Sequence, residues 1–225
     1  MRIAATSDLH GHLPEVPDCD VLCIAGDIGR GDIDPHVDAA WWTNTVDGFL
    51  HWLHELRRRN IVVIGVAGNH DFILEHHGHK FADLLPWIYL QDESIELGGV
   101  KFHGTPWQRW QGGWAFNSPE VDPGEEFLRE KFALIPEDTD VLIAHVPPAG
   151  FHDRVGRSNV GSIALNRRIE QVCPTLAVYG HIHHGYGVEQ VDTGEYQRVT
   201  LANVSHTAVV DGRYVPKNAP VVFDV

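Results

Sequence analysis

The sequence predicts an α/β protein in which two sheets pack together with helices outside. Two observations point there. Short runs rich in Val and Ile, each of strand length, alternate with amphipathic stretches of helical period. Five of those runs also end in a polar block: Asp8-Leu9-His10, Gly26-Asp27, Gly68-Asn69-His70-Asp71, Ala144-His145-Val146 and Gly180-His181-Ile182-His183. In layered α/β proteins the loops leaving the carboxyl ends of strands converge along one edge, where ligands bind. Five blocks at five strand ends therefore predict one site.

Residues 3–6 and 21–25 are the first two strands. Residues 39–59 carry the longest helical pattern, with Trp42, Val46, Phe49, Leu53 and Leu56 at steps of three and four. Arg57-Arg58-Arg59 sit at its carboxyl end, where cations favour the helix dipole. Residues 61–67 form the third strand, and 72–85 contain a short helix closed by Pro86. Residues 89–97 and 100–104 are strands joined at Gly98-Gly99, a tight turn. A loop rich in Trp and Gly spans 105–123. An amphipathic helix with acidic residues in its first turn covers 125–134. Residues 141–143 lead into His145, and Pro147-Pro148 ends regular structure. A helix spans 162–172 with Ser162 as its cap, 176–179 lead into His181, and strands at 188–191, 197–202 and 221–224 join the second sheet. Nothing resembles a linker, so residues 1–225 form a single domain.

Composition narrows the functional classes. With 225 residues, 43% of them hydrophobic, the chain can build a sizeable core. No run approaches the roughly 18 apolar residues of a membrane span. The first strand begins at once and leaves no room for a signal peptide, so a cytoplasmic protein is expected. Cys19, Cys23 and Cys173 have neither the number nor the spacing of a disulfide framework, and Cys23 and Cys173 are expected as buried thiols. A net charge of −14 argues against a stable nucleic-acid complex, which is built on Lys and Arg. A small anionic substrate is compatible with it, because bound cations would be the largest local charges. Sixteen histidines point to metal chemistry. Of these, His12, His76, His77 and His79 read as surface residues, and His152, His184 and His206 have no assigned role.

The blocks supply carboxylate, amide oxygen and imidazole donors and no thiolate. Asp8 and His10 lie two apart, so an extended backbone would place both on one side, and His181 and His183 repeat that spacing. Asp27 ends the next strand, where its two oxygens can bridge two cations. Asn69 adds a neutral oxygen, and His145 completes seven donors with Asp8, His10, Asp27, His181 and His183. Such a set suits two divalent or trivalent ions of Mn, Fe, Zn or Ni, with Mn expected to support activity. Two ions about 3.5–4 Å apart generate a bridging hydroxide and clamp an in-line displacement at phosphorus. His70 is placed to assist the leaving oxygen, and Asp71 to hold its ring or cap the next helix. Trp107, Trp110 and Trp114, with Arg109 among them, offer faces on which a nucleobase could stack.

The ordered set Asp8-x-His10, Gly26-Asp27, Gly68-Asn69-His70-Asp71, His145 and Gly180-His181-x-His183 resembles the calcineurin-like metallophosphoesterase superfamily. The resemblance implies a four-layer α/β/β/α fold, a two-sheet β sandwich flanked by helices, with a dinuclear centre. It implies that Asp8, His10, Asp27 and His183 bind one ion and that Asp27, Asn69, His145 and His181 bind the other. His70 would act on the phosphate and leaving group. Gly104-Thr105-Pro106-Trp107-Gln108, Trp114-Ala115-Phe116-Asn117, His145-Val146-Pro147-Pro148 and the run from Gly180 to Gly187 look like the metallophosphoesterase-domain-containing branch of class III cyclic-nucleotide phosphodiesterases. That likeness implies cleavage of small phosphodiesters, 2′,3′- or 3′,5′-cyclic nucleotides among them, with Asn69, His70, Trp107, Arg109 and Asn203 touching substrate. Gly150-Phe151-His152-Asp153 departs from the Gly-His-Gly-Asp more usual there. Gly26-Asp27-Ile28-Gly29-Arg30-Gly31 resembles the protein Ser/Thr phosphatase block less closely, lacking its acidic residue before Arg. The alternatives are a phosphomonoesterase and a metal-retaining binding module. Oligomeric state is not legible.

Overall fold

The computed structural model describes residues 1–29, 39–192 and 198–225, and of residues 39–44 the backbone only. The side chain of Trp42, the Arg30-Gly31 pair and Gln197 lie outside the described residues. One sheet takes β1 (Arg2–Thr6), β2 (Val21–Ala25), β3 (Val62–Val66) and β4 (Ile88–Tyr89) in parallel. The second is mixed and contains β5 (Glu93–Leu97), β6 (Val100–Thr105), β7 (Val141–Ala144), β10 (Leu176–Tyr179), β11 (Gly187–Asp192) and β12 (Arg198–Asn203), in the order 11-12-10-7-6-5. Two hairpins stand apart, β8 (Arg154–Val155) with β9 (Ser158–Asn159) and β13 (Thr207–Val210) with β14 (Arg213–Pro216). The last strand, β15 (Val221–Asp224), runs antiparallel to β1.

The strand alternation sorts side chains into layers. Ala4, Leu22, Ile24 and Val63 pack against Phe49, Leu53 and Leu56 of α1 (Ala39–Arg58) and Leu74 of α2 (Phe72–His77). Their neighbours Ile3, Ala5, Cys23, Ile64 and Val66 turn the other way and meet Phe102, Ile143, Leu176 and Val178 between the sheets. On the far face Leu142, Ala177, Tyr179 and Leu201 pack under α4 (Glu126–Phe132) and α5 (Ile163–Val172). This is helix, sheet, sheet, helix, as expected. Among the described residues no helix is long and apolar enough to cross a membrane.

Several expected elements divide or move. The strand expected over 89–97 is two, β4 in the first sheet and β5 in the second. Asp92 turns the chain between them with φ 59°, and its N–H reaches the Gly104 carbonyl at 2.8 Å. The helix at 72–85 breaks at Gly78 (φ 50°, ψ −133°) into α2 and α3 (His79–Ala82). The strand at 221–224 joins the first sheet, not the second, because β1 offers it an open edge. Glu125 is left-handed and precedes α4; its carboxylate accepts the Ser162 hydroxyl (2.6 Å) and the Ala164 N–H (2.8 Å) at the start of α5. Ser162 caps that helix by accepting the Leu165 N–H, as expected. Cys23 is buried, whereas Cys173 is only partly so, at the left-handed end of α5.

Candidate metal centre

All five blocks lie at the carboxyl ends of β1, β2, β3, β7 and β10, and backbone bonds draw them together. Asp8 N–H donates to Gly26, His10 N–H to Asp27 and Gly180 N–H to His145, at 2.9–3.0 Å. The expectation of extended backbone at the two-apart pairs is corrected here. Asp8, His10, Asp27 and His181 are left-handed, with φ of 53°, 45°, 55° and 65°. Each such residue costs about 1–2 kcal/mol against the ordinary conformation, and strain of this kind gathers at functional sites. Two glycines make the crowding possible. A Cβ on Gly68 would lie 2.2 Å from Asp27 Oδ1, and one on Gly180 would lie 2.1 Å from Asp8 Oδ2.

The hydrogen bonds decide which imidazole nitrogens are free. His10 Nδ1 lies 3.2 Å from the Gly29 carbonyl and His183 Nδ1 lies 3.0 Å from the Thr207 carbonyl. A carbonyl only accepts, so both Nδ1 atoms carry the hydrogen and both Nε2 atoms present lone pairs. Those two Nε2 atoms face each other at 3.3 Å. Two lone pairs so placed repel unless a metal ion or a shared proton lies between them, and either fits the buried carboxylates beside them. The pattern recurs at His145, whose Nδ1 is 2.9 Å from the Ala25 carbonyl and whose Nε2 is 2.9 Å from the Asn69 amide oxygen. His181 Nδ1 is 2.8 Å from that same oxygen. Carboxylates close the gaps: Asp8 Oδ1 is 3.5 Å from His183 Nε2, and Asp27 Oδ2 is 3.7 Å from His10 Nε2 and 3.6 Å from His145 Nε2. Three overlapping groups, Asp8-His10-His183, His10-Asp27-His70 and Asp8-Asp27-His145, hold their ligand atoms within 4.8 Å of one another. The donor set fits metal ions, with imidazoles oriented by backbone carbonyls behind them.

Electrostatics agree with neutral imidazoles. Burial lowers His10 well below the usual histidine range despite Asp8 beside it. Burial likewise lowers His145, and it brings His181 down to about 3, aided by His145. Burial works to raise the Asp8 carboxyl, but His183, His145, His10 and the Ser205 hydroxyl outweigh it and bring it to about 2. Asp27 is pushed up by burial and by Asp8 and Asp71. A cation between the groups would reverse that penalty.

The remaining predicted residues divide. His70 is at the site, with Nε2 3.9 Å from Asp27 Oδ2 and its backbone N–H on Asp27 Oδ1 at 2.8 Å. Asp71 does not hold the His70 ring among the described residues. Its carboxylate accepts the N–H groups of Gly68 (2.8 Å), Gly29 (2.9 Å) and Ile28 (3.0 Å), tying the second block to the third. Trp107 is turned to the core, its Nε1 on Asp92 at 2.7 Å and Lys131 over its ring. Arg109 faces Glu125 at 3.5 Å. Asn203 is buried and donates to the Gly180 and Ile182 carbonyls, shaping the last block. His152 meets the Tyr179 hydroxyl, His184 the Arg154 carbonyl and His206 the Asn218 carbonyl. His12 reaches the Tyr214 carbonyl, and His79 pairs with Glu93 on the surface.

Four residues at the site were not singled out beforehand as its parts. Ser205 donates to Asp8 Oδ2 at 2.7 Å, and Thr207 Oγ1 to the Asp8 carbonyl at 2.8 Å. Tyr214 stacks on His10 at 3.7 Å between centroids, and Gln111 Nε2 lies 3.2 Å from His181 Nε2. Asp211-Gly212 between two apolar runs is a hairpin signal that would have placed Tyr214. The other three leave no mark in spacing.

Fold and donor set together define an α/β protein with a metal-binding cluster at a strand edge. The model of the calcineurin-like phosphoesterase family matches residues 1–185, and the chain belongs to that family of metal-dependent phosphoesterases. It is 32% identical over 253 residues to metallophosphoesterase domain-containing protein 1 of Homo sapiens, covering all of this chain and 71% of that protein. UPF0046 protein T07D4.2 of Caenorhabditis elegans is 30% identical over 260 residues, covering all of this chain and 60% of that one. The UPF0046 protein K07C11.7 of the same organism is 28% identical over 96% of this chain and 76% of its own length.

Proposed function

We propose that residues 1–225 act as one cytoplasmic phosphodiesterase domain that hydrolyses small phosphodiesters, cyclic nucleotides among them, at a dinuclear centre. Asp8, His10, Asp27 and His183 would hold one ion, and Asp27, Asn69, His145 and His181 the other, with Mn as the activating metal. The observation that carries this reading is the pair of His10 and His183 lone pairs facing each other beside two buried carboxylates. When bound, the ions would polarise the phosphoryl oxygens and acidify a water.

The chain's own groups do the rest. Backbone carbonyls of Gly29, Thr207 and Ala25 fix the imidazole tautomers, and Asp71 fixes the turn that carries Asn69 and His70. His70 keeps its N–H for the phosphoryl or leaving oxygen. The preference for a diester over a monoester follows the likeness of the motif blocks to the phosphodiesterase branch. Mn-loaded protein should hydrolyse bis(p-nitrophenyl) phosphate faster than p-nitrophenyl phosphate. The reverse preference would sink the diesterase reading, and no turnover of either would leave a binding module.

A further inference from the structure

The loop at residues 105–118 presents to the site neither Trp107 nor Arg109, but Trp114. Its ring centroid lies 4.3 Å from that of His70, tilted by 56°, and the side chain remains 39% exposed. A large indole left open to water beside a reacting group is an unfilled contact surface. Its two indole neighbours differ in kind. Trp107 is engaged by Asp92, Lys131, Phe116 and Phe127. Trp110, also exposed, makes no ring contact with a site residue among the described residues.

Trp114 is also held from both sides. The next residue, Ala115, is fully buried and donates its N–H to the carbonyl of Asn69 at 3.0 Å. The Asn117 amide donates to the carbonyls of Trp114 (2.7 Å) and Gly112 (2.8 Å), and its oxygen accepts the Gln111 N–H. The backbone that carries the indole is thus held relative to Asn69, and the ring itself rests against His70 and Phe72, so stacking on it costs less conformational entropy than stacking on an untethered side chain. Tyr214 also lies near His70, at 5.9 Å, but it is stacked on His10 and so is committed to the donor cluster.

We propose that Trp114 is the specificity residue of this site: its exposed face stacks the planar ring of an aryl or nucleoside group on the ester. The proposal rests on the phosphoester-hydrolase reading above and narrows its substrate to ring-bearing esters. An aliphatic phosphoester would gain nothing from this wall. Base–aromatic stacking is sequence-tolerant, so the surface would accept any purine or aryl ring.

Titration calorimetry on Mn-loaded protein tests this without requiring turnover. Adenosine 5′-monophosphate should bind more tightly than inorganic phosphate. W114A should weaken the nucleotide about tenfold and move inorganic phosphate by less than about twofold, a range well below that stacking effect. W114F should keep most of the nucleotide affinity because it keeps a ring, while W114L, apolar but ringless, should behave like W114A and stand in for it if W114A folds poorly. Equal weakening of both ligands would overturn the proposal and leave Trp114 as a brace for His70. So would a nucleotide that binds no more tightly than phosphate. Failure to turn over any ester would instead strike the hydrolase reading, with the binding comparison still deciding Trp114.

Discussion

At neutral pH the imidazole of His70 carries one N–H and no positive charge, because burial first and His145 next bring it down to about 4. In the proposed reaction it would therefore donate a hydrogen bond to developing negative charge and would not serve as a stored proton. Its neighbour Asp71 has a different duty, fixed by three backbone N–H groups from two separate blocks. The two substitutions should part company. His70→Ala should lower kcat by about 10²–10⁴-fold while metal content and melting temperature stay near wild type. Asp71→Ala leaves three buried donors unpaired, each worth about 1–3 kcal/mol, and should lower the melting temperature and metal content together. Kinetics, metal analysis and thermal melting on the two variants check this. Metal loss in His70→Ala would place that ring among the ligands.

The β13–β14 hairpin meets the donor cluster at His10, His183 and Asp8. Thr207 orients His183 and Asp8, and Tyr214 stacks on His10 at 3.7 Å and lies 5.3 Å from His183. With two Mn ions bound as proposed, Tyr214→Ala should weaken the ion held by His10 and His183 by about tenfold, the size of a lost aromatic contact, and the other by less, with Tyr214→Phe close to wild type. Metal titration read by calorimetry would show it; equal weakening of both ions would refute a one-sided role. This hairpin also shows where the sequence stops being legible. The blocks could be read because ligand chemistry and strand punctuation are local, so Asp8, His10, Asp27, Asn69, His145, His181 and His183 stood out together. Which sheet β5 and β15 would join is a choice among tertiary partners that alternation does not encode. The Trp-rich loop announced itself by composition, but only Asp92 and Lys131 decide that Trp107 is committed and Trp114 is free to meet His70.

Across the whole molecule, folding encloses imidazoles in a chain of net charge −14, and that sets its response to acid. His103 is the clean case, because it lies on β6 away from the donor cluster. It is 1% exposed, with Nδ1 2.8 Å from the Ser94 hydroxyl, and burial brings it down to about 4 from an ordinary 6.5. Between those two values the unfolded chain binds a proton that the folded chain refuses, so stability rises with pH there and is lost as pH falls. His10, His70, His145, His152, His181 and His206 shift in the same direction, while Asp27 and Asp71, held up by burial, oppose them above the ordinary carboxylate value. Seven imidazoles, His103 included, against two carboxyls leave the balance with the histidines. The melting temperature in EDTA should therefore drop between pH 7 and pH 5. Added Mn should raise it at pH 7 through binding to the folded state alone. That gain should shrink toward pH 5, because protons compete for the same nitrogens. Thermal melts at both pH values, with EDTA and with excess Mn, decide the matter. A metal-free protein that grew more stable on acidification would overturn this balance: either Asp27 and Asp71 outweigh the imidazoles, or the imidazoles are already charged in the fold and the facing lone pairs of His10 and His183 lose their meaning.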